Sequence, residues 1–111
     1  MKQNYDSSLK TLRLEFPGDV LSTNVDSLRT ELMAAIESFP TPPPWEVLEL
    51  DLRSAQMIDS AGLNLIVGII RVIDQRSRKT RALISNPNIQ RTFLFTRLDR
   101  HLEMVKTAAA Q

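Results

Sequence analysis

The sequence predicts an α/β fold: a single domain with a mixed sheet of four to five strands and helices mainly on one face. Three observations carry this expectation. Segments that alternate apolar and polar residues, the period of a half-buried strand, are separated by segments with apolar residues at three- and four-residue steps, the period of a helix. Strands with helices between them favour parallel neighbours. The two leading strand segments carry charges at every second position, whereas a sheet covered by helices on both faces reads as continuous apolar runs. The second face is therefore expected to be substantially wet. The length of 111 residues, with 42% hydrophobic and 24% charged, suits one packed core and not two.

The elements follow in order. Residues 1–8 are expected to be a flexible N-terminus, 9–105 the domain and 106–111 a loosely held tail. In "LKTLRLEF", Leu12, Leu14 and Phe16 share one face, and Thr11, Arg13 and Glu15 the other. Pro17 and Gly18 interrupt this strand, and a short extended piece, "DVL", follows. Ser22 or Thr23 is placed to cap a helix, with Asp26 in its first turn. Val25, Leu28, Leu32, Ile36 and Phe39 form its apolar stripe, and "PTPPP" ends it. "WEVLELDL" alternates again, Leu48, Leu50 and Leu52 against Val47, Glu49 and Asp51. The loop "RSAQ" leads to "MID" and an apolar helix from Ala61 to Gln75. "RSRK" is read as a solvated connector and "TRALIS" as the third main strand. Asn86 and Pro87 supply a cap and a first helical residue for a short helix anchored by Ile89, Phe93 and Leu94. "HLEMV" makes the last strand.

Composition narrows the function. The formal charge of +1 is too close to neutral to argue for nucleic acid or an anionic membrane as the main partner. The absence of cysteine excludes disulfides, thiol catalysis and cysteine metal sites, and suits a reducing cytosol. The polar start "MKQNYDSS" is unlike a signal peptide, and no segment offers the roughly 18–20 apolar residues that cross a bilayer. A cytoplasmic domain without metal or cofactor is expected. Arg71, Arg76, Arg78, Lys79 and Arg81 are interrupted by Asp74 and lack interleaved aromatics, so they read as a solvated helix end and turn rather than an RNA patch. The proline run reads as a stiff spacer, with Trp45 as an aromatic lid over it. Met33, Met57 and Met104 read as core filler, and His101 as a surface or partly packed residue.

The stretch "MIDSAGLNLIVG" carries the functional question. Ser60 can be a nucleophile, a helix cap or a site of modification. A nucleophile elbow needs glycine two places before and after the serine; Gly62 is present, but Ile58 stands at the other place. A serine nucleophile also needs a base, and nothing in the sequence brings the sole histidine, His101, to it. Asp59 and Ser60 are both good caps, with Gly62 allowing close packing. The start of a helix is also where a phosphate is best tolerated.

"VLELDLRSAQMIDSAGLNLIVGIIRVI" resembles the signature of the sulfate-transporter and anti-sigma-antagonist (STAS) domain, and within it that of small bacterial anti-sigma factor antagonists. Asp59, Ser60, Gly62, Leu63 and Gly68 match in place, and the likeness continues through "ALISNPNIQRTFLFTRLDRHLEMV". The resemblance implies a non-catalytic partner-switching protein. Unphosphorylated, it would bind an anti-sigma factor or serine kinase of ATPase-like fold; phosphorylation of Ser60 would release it, and a PP2C-type phosphatase would reverse the change. Asp59, Ala61, Gly62, Leu63 and Asn64, with Leu21, Ser22 and Thr23, would line the docking surface. Three positions depart from the pattern. Leu21 stands where an acidic residue is usual, Asn64 where glycine is common, and Arg97 where glycine ends the third helix. A left-handed cap at Arg97 would cost about 1 kcal/mol. The resemblance leaves two rivals: a STAS subunit of a transport or stress-signalling assembly with no phosphorylation cycle, and a small serine hydrolase.

Overall fold

A computed structural model describes residues 1–107. The elements run β1 (Lys2–Asp6), β2 (Thr11–Glu15), α1 (Val25–Glu37), β3 (Val47–Asp51), α2 (Ser60–Gln75), β4 (Lys79–Ile84), α3 (Pro87–Phe95), a short 3-10 turn (Leu98–Arg100) and β5 (Glu103–Lys106). The sheet order is β1-β2-β3-β4-β5. β1 and β2 are antiparallel, and every later pair is parallel. This is the expected mixed sheet, with each parallel step spanned by a helical crossover.

The strand alternation seen in the sequence sorts the two faces. Leu12, Leu14, Leu48, Leu50, Ala82 and Ile84 join one core with Leu28, Leu32 and Ile36 of α1, Leu65, Ile66 and Ile69 of α2, and Ile89 and Phe93 of α3. All three helices thus cover one face. On the other, Arg13, Glu49, Arg81 and Glu103 stand in register across β2 to β5 and form a ladder of ion pairs. Glu49 takes Arg13 at 2.6 Å on one side and Arg81 at 3.1 Å on the other, and Arg81 reaches Glu103 at 3.3 Å. This face is polar but its centre is not wet: the arginine stems leave Glu49 only 5% exposed.

Several sequence expectations need correction. Lys2–Asp6, read as part of a flexible lead, pairs along its whole length with β2. The N-cap position of α1 is Asn24, not Ser22 or Thr23. The Asn24 side chain faces backward, accepting from Leu21 N–H and donating to the Asp19 carbonyl, so it shapes the loop and makes no hydrogen bond into the helix. Lys106, assigned to the tail, closes β5 opposite Ile84, and Thr107 N–H donates to the Ile84 carbonyl; positions 108–111 of the expected tail lie outside the described residues. Leu94 is 48% exposed and does not anchor α3 with Ile89 and Phe93. Met57 is 59% exposed, because the chain turns Ile58 rather than Met57 toward the core. Arg78 is no mere solvated connector: it donates to the carbonyls of Trp45 and Pro43 and braces the proline loop. Trp45 is fully buried, edge-on to Phe39.

Candidate functional site

The loops after β2 and β3 meet beyond the C-terminal ends of those strands. Val20 and Ile58 form an isolated parallel bridge, with Val20 N–H donating to the Met57 carbonyl and Asp59 N–H to the Val20 carbonyl. Asp19 secures the same junction: its Oδ1 accepts from the N–H groups of Gln56 and Met57. At the end of β3, Asp51 holds Arg53 through two side-chain bonds, and the Ser85 hydroxyl donates to the Arg53 carbonyl. Burial pushes the Asp51 carboxyl up, but the Arg53 guanidinium and N–H outweigh it and leave the group below its ordinary 3.8.

Helix α2 opens on this platform. Asp59 is its N-cap, in extended backbone, with Oδ1 accepting from Gly62 N–H at 2.9 Å. Its other oxygen, Oδ2, accepts from Ser22 N–H at 2.8 Å. One carboxylate thus caps α2 and ties it to the loop leading into α1. Gly62 N–H first, then Ser22 N–H, hold the Asp59 carboxyl below 3.8. Gly62 is required by the approach of the neighbouring loop: a Cβ there would collide with the Val20 carbonyl and lie 2.9 Å from Ile58 Cγ2.

Ser60 is the first helical residue, exposed, and its hydroxyl has no hydrogen-bond partner among the described residues. Of the two candidate caps, Asp59 does the capping, which leaves the Ser60 hydroxyl free at the positive end of a long helix. Around it, Ala61 and Leu63 are half-buried, Asn64 is exposed and Gly62 is buried. Leu21 is half-buried, while Ser22 and Thr23 are exposed. The Asp59–Ser22 bond brings the two predicted clusters together. His101 precedes β5, at the N-terminal ends of the parallel strands, whereas Ser60 follows the C-terminal end of β3. The two therefore lie at opposite ends of the sheet, and His101 is no base for Ser60. Among the described residues no group of His, Cys, Asp or Glu is arranged to hold a metal ion, and no helix is long and apolar enough to cross a membrane.

Sequence reasoning misses Asp19, Asn24, Arg53 and Met57 as parts of this site. Asp19 and Met57 act across the two loops, while Asn24 and the Arg53 side chain bond near neighbours in the chain. Each contact exists only once the loops are folded. The one sequence signal is the acidic Asp19 next to a turn glycine.

A mixed sheet with three helices on one face, presenting a free hydroxyl at an aspartate-capped helix start, defines a class of small α/β domain. The chain belongs to the STAS-domain family, whose model matches residues 3–110. Among solved structures, it is similar to a Thermotoga maritima protein assigned as an anti-sigma factor antagonist, with TM-score 0.79, 19% identity, 96% of this chain and 86% of that chain covered. It is similar to an anti-sigma factor antagonist from Mycobacterium paratuberculosis, with TM-score 0.75, 16% identity and coverage of 96% and 86%. A third likeness is to the anti-sigma factor antagonist SpoIIAA in its unphosphorylated form, with TM-score 0.67, 17% identity and coverage of 96% and 88%. No curated protein sequence matches.

Proposed function

We propose that this chain is an anti-sigma factor antagonist of a partner-switching system, acting in the cytoplasm without catalysis of its own. With Ser60 unmodified, it binds an anti-sigma factor that is also a serine kinase of ATPase-like fold. The kinase transfers the γ-phosphoryl group of ATP to Ser60 Oγ: the new O–P bond forms as ADP leaves and the hydroxyl proton is lost. A PP2C-type phosphatase hydrolyses the ester. The observation that carries this reading is the exposed Ser60 hydroxyl, relieved of capping by Asp59.

The chemistry suits a switch. A phosphate adds about −1.5 to −2 of charge at neutral pH. The N–H groups of the first turn of α2 tolerate it, so the fold survives. The surface does not stay the same. Asp59 already places a carboxylate beside Ser60. A dianion next to it, desolvated by a partner without a counter-charge, costs several kcal/mol, and each 1.4 kcal/mol is tenfold in affinity. Met57, exposed two residues before the Asp59 cap, gives the unmodified surface an apolar component for docking.

The test is a pull-down from native cytosol with wild type, Ser60→Ala and Ser60→Asp, with mass spectrometry of the bait after incubation with ATP. Wild type and Ser60→Ala should retain a common partner, and Ser60→Asp should lose it by at least about tenfold. Phosphate should appear on Ser60 of wild type only. Equal retention by Ser60→Asp would remove the switch. A retained partner with no phosphate on Ser60 would favour a STAS subunit without a phosphorylation cycle.

A further inference from the structure

The outer edge of β1 carries an inference independent of Ser60. We infer that β1 is a self-pairing edge through which two copies of this chain form an antiparallel, two-fold symmetric dimer with one continuous sheet. The direction of the backbone groups is the first ground. Phe16 N–H donates to the Asp51 carbonyl, so the even residues of β2 address β3 and the odd ones address β1. The odd residues Thr11, Arg13 and Glu15 face Asp6, Asn4 and Lys2, which therefore hold the ladder to β2. The N–H and C=O groups of Gln3 and Tyr5 point away from the sheet, at its edge.

The sequence of the strand is the second ground. Only registers that match outward groups to outward groups form a ladder. Centring the two-fold axis on Asn4 sets Gln3 against the partner's Tyr5 and exchanges both N–H···O bonds at each such pair. The same register sets Lys2 against the partner's Asp6. Those positions are non-hydrogen-bonded pairs, where facing side chains come closest and opposite charges are most favourable. The strand "KQNYD" thus meets itself with full overlap and complementary charge: Asp6 holds the following turn through Oδ1, which accepts from Ser8 and Leu9, and turns only Oδ2 to the facing lysine. It contains no proline and keeps unbroken register with β2, so no bulge or missing donor interrupts the edge.

The opposite edge does not share these properties. In β5, Thr107 N–H donates to the Ile84 carbonyl, so Met104 and Lys106 present the outward groups. A register joining Glu103 to the partner's Lys106 would match outward to inward groups and cannot form a ladder. Glu103 is also already paired with Arg81.

The β1 strand has five residues, against about 20–30 residues a side in a standard stable interface. Association is therefore concentration-dependent and not obligate. Sedimentation velocity on the whole chain across a concentration series tests it, with Lys2→Glu and Gln3→Pro alongside. Wild type should move from the 12.6 kDa monomer toward twice that mass, less so in high salt. Lys2→Glu, which opposes two carboxylates, should weaken dimerisation about tenfold. Gln3→Pro removes an outward donor but no bond to β2, so it should abolish the dimer and leave the thermal midpoint close to wild type. Should Gln3→Pro unfold, amide exchange decides: Tyr5 N–H protection in wild type must rise with concentration. A chain that stays monomeric throughout, or a dimer indifferent to Lys2→Glu with Tyr5 exchange unchanged, would overturn the inference.

Discussion

Gly62 and Gly68 lie on the same helix in opposite circumstances. At Gly62 an added Cβ would strike the Val20 backbone, which cannot yield without parting the Val20–Ile58 bridge. Gly62→Ala should therefore destabilise the protein by about 1–3 kcal/mol, seen as a lower urea midpoint. At Gly68 nothing lies within 4 Å of the same atom. Gly68→Ala removes a helix-interior glycine at no steric cost and should stabilise by roughly 0.5–1 kcal/mol in the same measurement. Arg97 is the reverse case, a side chain where glycine is easier: its φ of 61° is left-handed. Arg97→Gly should raise the urea midpoint, by up to about 1 kcal/mol of stability. Arg97 stands out only through the family resemblance, as a residue where the pattern has glycine. Gly62 is legible in the amino-acid order, since glycine two places after Ser60 signals close packing. That Asp59 rather than Ser60 caps the helix is not legible there, because both types serve equally and only the Asp59–Ser22 bond decides between them.

Between elements, the main device is the ion-pair ladder on the helix-free face. Alternating charges in β2 and β3 announce a polar face, but register across strands is a property of the assembled sheet, so the Arg13–Glu49–Arg81–Glu103 row is not readable from sequence. Glu49 is its keystone, buried between two arginines. Glu49→Ala would leave Arg13 and Arg81 on either side of an empty position with like charge. Both arginines are partly exposed, so screening reduces the loss to about 1–2 kcal/mol. The expected signature is a lower thermal midpoint whose difference from wild type narrows as salt is added. The start of α1 gives a parallel lesson. Ser22 and Thr23 are good caps by type, yet Asn24 takes the position because its side chain joins Leu21 to Asp19 across the loop. Residue type ranks the candidates, and the way the loop folds back on itself chooses otherwise.

At the scale of the whole molecule, the period of hydrophobic residues predicts fold class and helix placement because burial on one face imposes it on every strand and helix. β1 escapes detection for the same reason: its residues are largely exposed, and an edge strand held mainly by backbone bonds leaves no such pattern. Acid should expose how far the molecule depends on its carboxylates. Asp51, Asp59 and Asp6 are all held below 3.8 in the folded state, each by hydrogen bonds that favour the ionised form. Unfolding returns them to ordinary values, so the unfolded chain binds protons first as pH falls. The stability these groups contribute is fully present above the unfolded value near 3.8 and is lost as pH drops through their folded values. Urea midpoints should therefore be flat from neutral pH to about 5 and fall steeply below about 4. Asp51→Asn should lower the plateau, since it removes the charge that Arg53 pairs with, and should make the acid decline shallower. A decline of unchanged slope in that variant would mean that the acid sensitivity lies elsewhere than in the Asp51–Arg53 pair.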